Sequence, residues 1–357
     1  MYRRLFGIGP LKIWPVLLIS ALAAVPKSYA ASCTTQAQMG SAERNALVSA
    51  ARGMLAQVQS GDLQSLRAGT LPAIASDFSG IQRTVQYLQP LIQHATVTVD
   101  EVYLLDASTD PPNSAHTDFF CGSPVVGFNF NGLPPGTYAV AILHATGVPQ
   151  PQQVSLILSA AQGGGAKESR WLLAGFFEKP MILAGHDGAW YWQNARRYAQ
   201  QKADWSAWFY YNIATYLLDP VDFLASQNLE KLRRETGDVH PNLPAANAPM
   251  MVSASGTLFK VTSIETTTAL GPLDLEVHYV PDSSQAAELR YPLIARKQVS
   301  DLMEGLLAGH PELRNAFHGM WLHADQGDAS LFALELPMQA SDSAMPPAAD
   351  GGNAPRP

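Results

Sequence analysis

Apolar residues recur at helical spacing through 41–60, where Ala46, Leu47, Ala50, Ala51, Met54, Leu55 and Val58 share one face. Gly61-Asp62 closes that run. A second helical stretch, 79–93, aligns Ile81, Val85, Leu88 and Ile92, with Pro90 expected to kink it or end it early. Beyond it the period shortens to two, beginning with Ala95, Val97 and Val99 between Thr96, Thr98 and Asp100. Strands are predicted at 95–105, 125–130, 137–145, 152–160 and 170–178, with Leu133-Pro134-Pro135-Gly136 as a tight turn.

Helical spacing returns over 188–236, and 237–256 is rich in Pro, Ala and Asn, as a linker would be. A second mixed unit follows, with strands at 257–266, 273–280, 316–323 and 330–336 and a helix at 292–308 whose Val299, Leu302, Met303 and Leu306 share a face. The order predicts an α+β protein: N-terminal helices on a curved antiparallel sheet, a central helical hairpin and a smaller C-terminal α+β unit. The expected boundaries are 31–180 for the first unit, 181–236 for the hairpin segment, 237–256 for the linker, 257–338 for the second unit and 339–357 for a disordered tail.

The start has the three-part order of a secretory signal. Arg3 and Arg4 precede an apolar run from Ile13 to Val25, and Ser28-Tyr29-Ala30 offers a cleavage site, so residues 1–30 are expected to be removed. The run is too short to span a bilayer, and no membrane span is expected after cleavage. Removal takes away Arg3, Arg4, Lys12 and Lys27 and no acid, moving the formal charge from −7 to −11. An acidic chain without a basic cluster excludes nucleic acid as a partner. In the oxidising compartment that export implies, Cys33 and Cys121 form a candidate disulfide.

Within 188–220, Tyr191, Asn194-Ala195 and Tyr198, then Ala207, Tyr211, Ala214 and Pro220, stand at spacings that resemble one tetratricopeptide repeat. Small residues let two helices approach while aromatics fill the gaps beside them. The departures are Asn194 in place of leucine and Pro220 one position late. Trp192, Arg196 and Gln200 fall four apart on one stripe. The resemblance implies that this face of the first helix meets a peptide or protein partner, against the plainer reading that Trp192 packs on the N-terminal sheet. By element order alone, 38–178 resembles the cone-shaped nuclear-transport-factor and ketosteroid-isomerase-like fold, which would offer a pocket.

Catalytic signatures are missing. There is no Gly-x-Ser-x-Gly elbow, and Gly163-Gly164-Gly165 lacks the residues of a phosphate loop. His186-Asp187 combines a titratable pair with flanking glycines, but Asp187 is better read as the N-cap of the following helix. His310, His318 and His323, with Glu312 and Asp325 nearby, have no zinc-protease spacing, and alternation sends His318 and His323 to opposite strand faces. Asp100, Glu101 and Asp106 read as strand-end charges. Neither metal nor cofactor is expected. The leading expectation is an exported protein- or peptide-binding scaffold; the alternatives are a small-molecule-binding or hydrolytic enzyme with a pocket in the N-terminal unit, and a structural envelope protein.

Overall fold

A computed structural model describes residues 31–122, 126–161, 170–245, 247–327 and 329–338. The signal segment 1–30, the glycine run 163–165 and the tail 339–357 lie outside the described residues. The fold is mixed α+β, as the hydrophobic pattern predicts.

The chain opens with a short strand, β1 (Ser32–Thr35), followed by α1 (Ser41–Ser60), the short helices α2 (Leu63–Ala68) and α3 (Pro72–Ala75), and α4 (Ser79–Ile92). Gly61 ends α1 at φ 71°, and its N–H returns to Gln57 and Val58. Glycine takes that left-handed angle without a Cβ penalty. Pro90 stands inside α4, contrary to the expected early end. It lies in the last turn, where it removes one hydrogen bond instead of interrupting a run.

Six strands follow: β2 (Thr96–Asp106), β3 (His116–Cys121), β4 (Val126–Asn131), β5 (Thr137–Thr146), β6 (Gln152–Ala160) and β7 (Trp171–Pro180). An antiparallel sheet runs in the order β1-β2-β5-β6-β7. Strand β5 at its centre is buried on both faces, and its period-two alternation sorts its side chains into two cores. Ala139, Ala141, Leu143 and Ala145 meet α1 and α4 on one side. Tyr138, Val140 and Ile142 meet Phe119, Phe128 and Phe130 on the other.

A tight pair, β8 (Ile182–Leu183) and β9 (His186–Asp187), leads into the antiparallel hairpin of α5 (Gly188–Gln200) and α6 (Asp204–Leu218). Strand β10 (Leu224–Ser226) then pairs with β4, giving a second small sheet, β10-β4-β3, and α7 (Gln227–Gly237) follows directly.

The C-terminal sheet has the order β11 (Met250–Ala254), β12 (Thr257–Thr267), β13 (Asp274–Val280), β14 (Gly319–Gln326), β15 (Ala329–Pro337). Its first strand falls inside the stretch expected to be linker. Strands β13 and β14 are parallel, joined through α8 (Ser283–Glu288), α9 (Pro292–Gly309) and α10 (Leu313–Ala316). The α5–α6 hairpin shares a hydrophobic core with this sheet. The contacts are specific: the Tyr198 and Tyr210 hydroxyls donate to the carbonyls of Asn315 (3.2 Å) and Ala316 (2.7 Å), and the Phe209 and Phe317 rings meet edge-on at 5.7 Å. Among the described residues no helix is long and apolar enough to cross a membrane.

Candidate functional site: the cleft beside α7

Asp187 caps α5, accepting the Trp190 N–H at 2.8 Å. The His186 ring lies flat on Trp190, centroids 3.6 Å apart. The residues singled out for helix packing lie where their size predicts. Tyr191, Ala195 and Tyr198 of α5 and Ala207, Tyr211 and Ala214 of α6 are all buried, while Pro220 follows α6 at the cleft described below. The close approach begins at Gly188, where a Cβ would stand 2.6 Å from Leu218 Cγ and 3.1 Å from Leu217 Cβ.

The Trp192–Arg196–Gln200 stripe faces α7 for most of its length. Glu235 accepts the Trp192 indole N–H at 2.7 Å and takes both Nε and Nη2 of Arg196, at 2.7 and 2.9 Å. The guanidinium carbon sits 4.3 Å from the Trp192 ring centroid, a cation–π contact. Gln200 remains exposed. Burial pushes the Glu235 carboxyl up, but the hydrogen bonds from Arg196 and Trp192 outweigh it and leave it below its ordinary value. A second clamp ties the body of α7 to the end of α6. Arg233 reaches both Asp219, just past α6, at 3.0 Å and Glu230 at 2.8 Å, and Lys179 donates to the Asp219 carbonyl. Burial raises the Asp219 carboxyl despite Arg233.

Held this way, α7 leaves an apolar cleft of about 350 Å³ between itself, α5 and the inner face of the N-terminal sheet. Trp192, Leu218, Leu229 and Leu232 wall it, Tyr103 and Ile142 floor it, and Ser226 and Asn228 stand at its edge. Those two residues are shared with an open groove of about 600 Å³ over the small sheet, whose floor is Gly127 and Ala225. One wall is Phe120, 74% exposed; the other is α7, with Lys231 and Arg234. Neither cation is within ion-pair distance of a carboxylate among the described residues. Phe120 is rigidly carried, because the next residue, Cys121, lies at disulfide distance from Cys33 on β1, with Cα atoms 5.1 Å apart.

Two histidines and three acids weighed in the sequence lie elsewhere. His310 stacks on Trp205 and sits 3.4 Å from Glu312. His318 precedes β14, so strand alternation does not govern it, and its Nδ1 lies 3.1 Å from Asp274. Of the strand-end acids, Asp106 accepts the Ser108 N–H, and the Glu101 carboxyl is raised by burial and by Asp100; none of the three lines the cleft. The sequence reading missed Glu235, Phe120 and the α7 cations. The available signal was the polar face of 226–236, whose acid at 235 could answer an Arg on a neighbouring helix.

Comparison of the chain with protein-family models, with curated proteins and with solved structures finds no match.

Proposed function

We propose that the protein is exported and acts as a binding module, taking a peptide segment that places an apolar side chain in the cleft and an acidic one beside Lys231 and Arg234. The observation that carries this is the junction at Ser226 and Asn228, where an apolar pit opens into a groove with an exposed phenylalanine on one wall and, on the other, Lys231 and Arg234, which have no ion-pair partner among the described residues, beside Glu230, which Arg233 engages. An apolar anchor desolvated in a pit, next to a charged rim, is the arrangement that gives peptide sites both affinity and orientation. The cation pair is set on a chain of net charge −7, so its sign is local and directs an acidic ligand to this face.

Export is supported by the signal-like first thirty residues and by the cysteine pair at disulfide distance. The tetratricopeptide likeness contributes a packing reading, in which the hairpin supplies Trp192 as one wall; its neighbours are a sheet and α7, not further hairpins. The likeness of 38–178 to the cone fold adds only that the cleft opens on the sheet.

Selection of a random peptide library displayed on phage tests the reading, comparing the wild type with Phe120→Asp and with Lys231→Glu/Arg234→Glu. Peptides pairing a large apolar residue with acidic residues should be enriched on the wild type alone. A library that yields no enrichment, or peptides that all three proteins retain equally, would overturn it.

A further inference from the structure

On the opposite side of the C-terminal sheet from α9, β13 and β14 present a different chemistry. Their parallel register places Glu276 beside Trp321 and His278 beside His323, while Leu275, Val277, Met320 and Leu322 point into the core. Glu276 and His278 are alternate residues of one strand, so both side chains emerge on this outer face. Glu276 Oε1 lies 3.4 Å from His278 Nε2 and 3.3 Å from His323 Nε2, and the three atoms all lie within 4.8 Å of one another. The imidazoles are stacked, centroids 4.6 Å apart.

We infer that Glu276, His278 and His323 form a binding site for a divalent transition metal of the zinc type, with Asp325 orienting His278. Ligand spacing is the first argument. Metal–ligand bonds of about 2.0–2.1 Å at a tetrahedral angle put neighbouring donor atoms about 3.3–3.4 Å apart, which is the spacing of both nitrogens from the carboxylate oxygen. Orientation is the second. His278 Nδ1 donates to Asp325 Oδ2 at 2.6 Å, which fixes the ring and leaves Nε2 turned toward Glu276. A carboxylate on the far nitrogen of a metal-binding histidine is the usual outer support of such a site. The third is an unmet need: His323 Nε2 is buried and has no hydrogen-bond partner among the described residues, its approach to Glu276 lying off a hydrogen-bond direction. With the rings stacked at 16° their Nε2 lone pairs run nearly parallel, so a cation held by all three atoms requires the His323 ring to turn out of the stack while Asp325 keeps His278 in place. Two imidazoles and one carboxylate select a borderline ion over calcium or magnesium, which take oxygen ligands. The neighbouring Asp274–His318–Glu335 group brings a single histidine, whose Nδ1 lies 3.1 Å from Asp274 and 3.8 Å from Glu335. The site lies on the C-terminal sheet and stands apart from the peptide-binding reading.

Sequence alternation carried a trace of this site. Glu276-x-His278 and His323-x-Asp325 are both strand-spaced pairs, but that two such pairs are neighbours depends on the parallel crossover.

The test uses tag-free, chelator-treated full-length mature protein, with Zn²⁺ titrated by calorimetry and Co²⁺ by visible absorption. The wild type should bind one equivalent and give a tetrahedral Co²⁺ spectrum. Glu276→Gln and His278→Gln, which keep side-chain volume on the sheet surface, should each lose the equivalent, and Asp325→Asn should weaken it about 10–100-fold. His318→Gln should leave it unchanged. No binding at 100-fold excess Zn²⁺ over protein, binding retained in the Glu276→Gln and His278→Gln variants, or binding abolished by His318→Gln would each overturn the assignment.

Discussion

Arg196 of α5 and Glu235 of α7 are joined by two hydrogen bonds, Nε to Oε2 at 2.7 Å and Nη2 to Oε1 at 2.9 Å, and the Trp192 indole shares the same carboxylate. A planar guanidinium meets a planar carboxylate in the fork geometry that makes such pairs both strong and directional. One wall of the cleft is therefore set by a single acid on a helix 39 residues further along the chain.

Glu235→Ala removes the acceptor of four donors at once, the Trp192 indole, two nitrogens of Arg196 and, at 3.5 Å, the Tyr211 hydroxyl. Leaving partly buried N–H groups without a partner should cost about 1–3 kcal/mol in urea unfolding. The pH dependence has a definite sign. Because the folded carboxyl lies below its ordinary value of 4.5, the pair's contribution is complete above that value and is lost as pH falls through the lower folded one. Wild type and Glu235→Ala should therefore converge in stability on acidification; a gap that stayed constant would show that the carboxylate's charge is not what holds α7.

The parts of the molecule that were legible in the sequence are those whose burial is one-sided or central. Helix α1 was predicted at its observed bounds because one apolar face meets the sheet, and β5 and β6 because turn residues flank near-continuous apolar runs. Strand β3 escaped although Thr117, Phe119 and Cys121 alternate inward, since its outward Phe120 and Asp118 blur the contrast. Strand β11 lay among prolines and alanines and is recruited by pairing with β12, a non-local term. The Trp192–Arg196 stripe was legible from i,i+4 spacing. Its partner was not, because nothing local to α5 fixes where α7 lies.

The hairpin's attachment to the C-terminal sheet rests on a few polar anchors set in an aromatic cluster. Burial raises the Tyr210 phenol well above its usual value, so it remains a donor, and its partner is the carbonyl of Ala316. Tyr210→Phe keeps the ring contacts with Tyr191, Tyr198 and Phe317 but withdraws that donor. A loss of about 1–2 kcal/mol is expected by chemical denaturation, with little change in fold by circular dichroism. An unchanged midpoint would mean that water replaces the hydroxyl.

Cys33 and Cys121 close a loop across 88 positions of sequence and tie β1 to β3. Their replacement by Cys33→Ser/Cys121→Ser should destabilise by about 2–5 kcal/mol, long loops lying at the upper end in the chain-entropy account. Intact mass should show a 2 Da gain on reduction of the unfolded protein. Because Phe120 adjoins Cys121, the paired serine variant should also lose affinity for groove-selected peptides; affinity kept at full strength would separate the groove from the bridge.

Gly188 stands where α5 begins and α6 ends, and its missing side chain is what allows the two backbones to meet. Gly188→Ala places a methyl 2.6 Å from Leu218 Cγ and 3.1 Å from Leu217 Cβ. The Leu218 side chain can give way, but it also walls the apolar cleft, and Leu217 Cβ is fixed to its backbone. Overpacking of this kind costs about 1–3 kcal/mol. Relief through Leu218 disturbs the cleft, so peptide affinity should fall together with the unfolding midpoint, whereas Gln193→Ala, at an exposed position of the same helix, should move neither by much. A Gly188→Ala protein of undiminished stability would mean that the α5–α6 contact is looser than these distances imply.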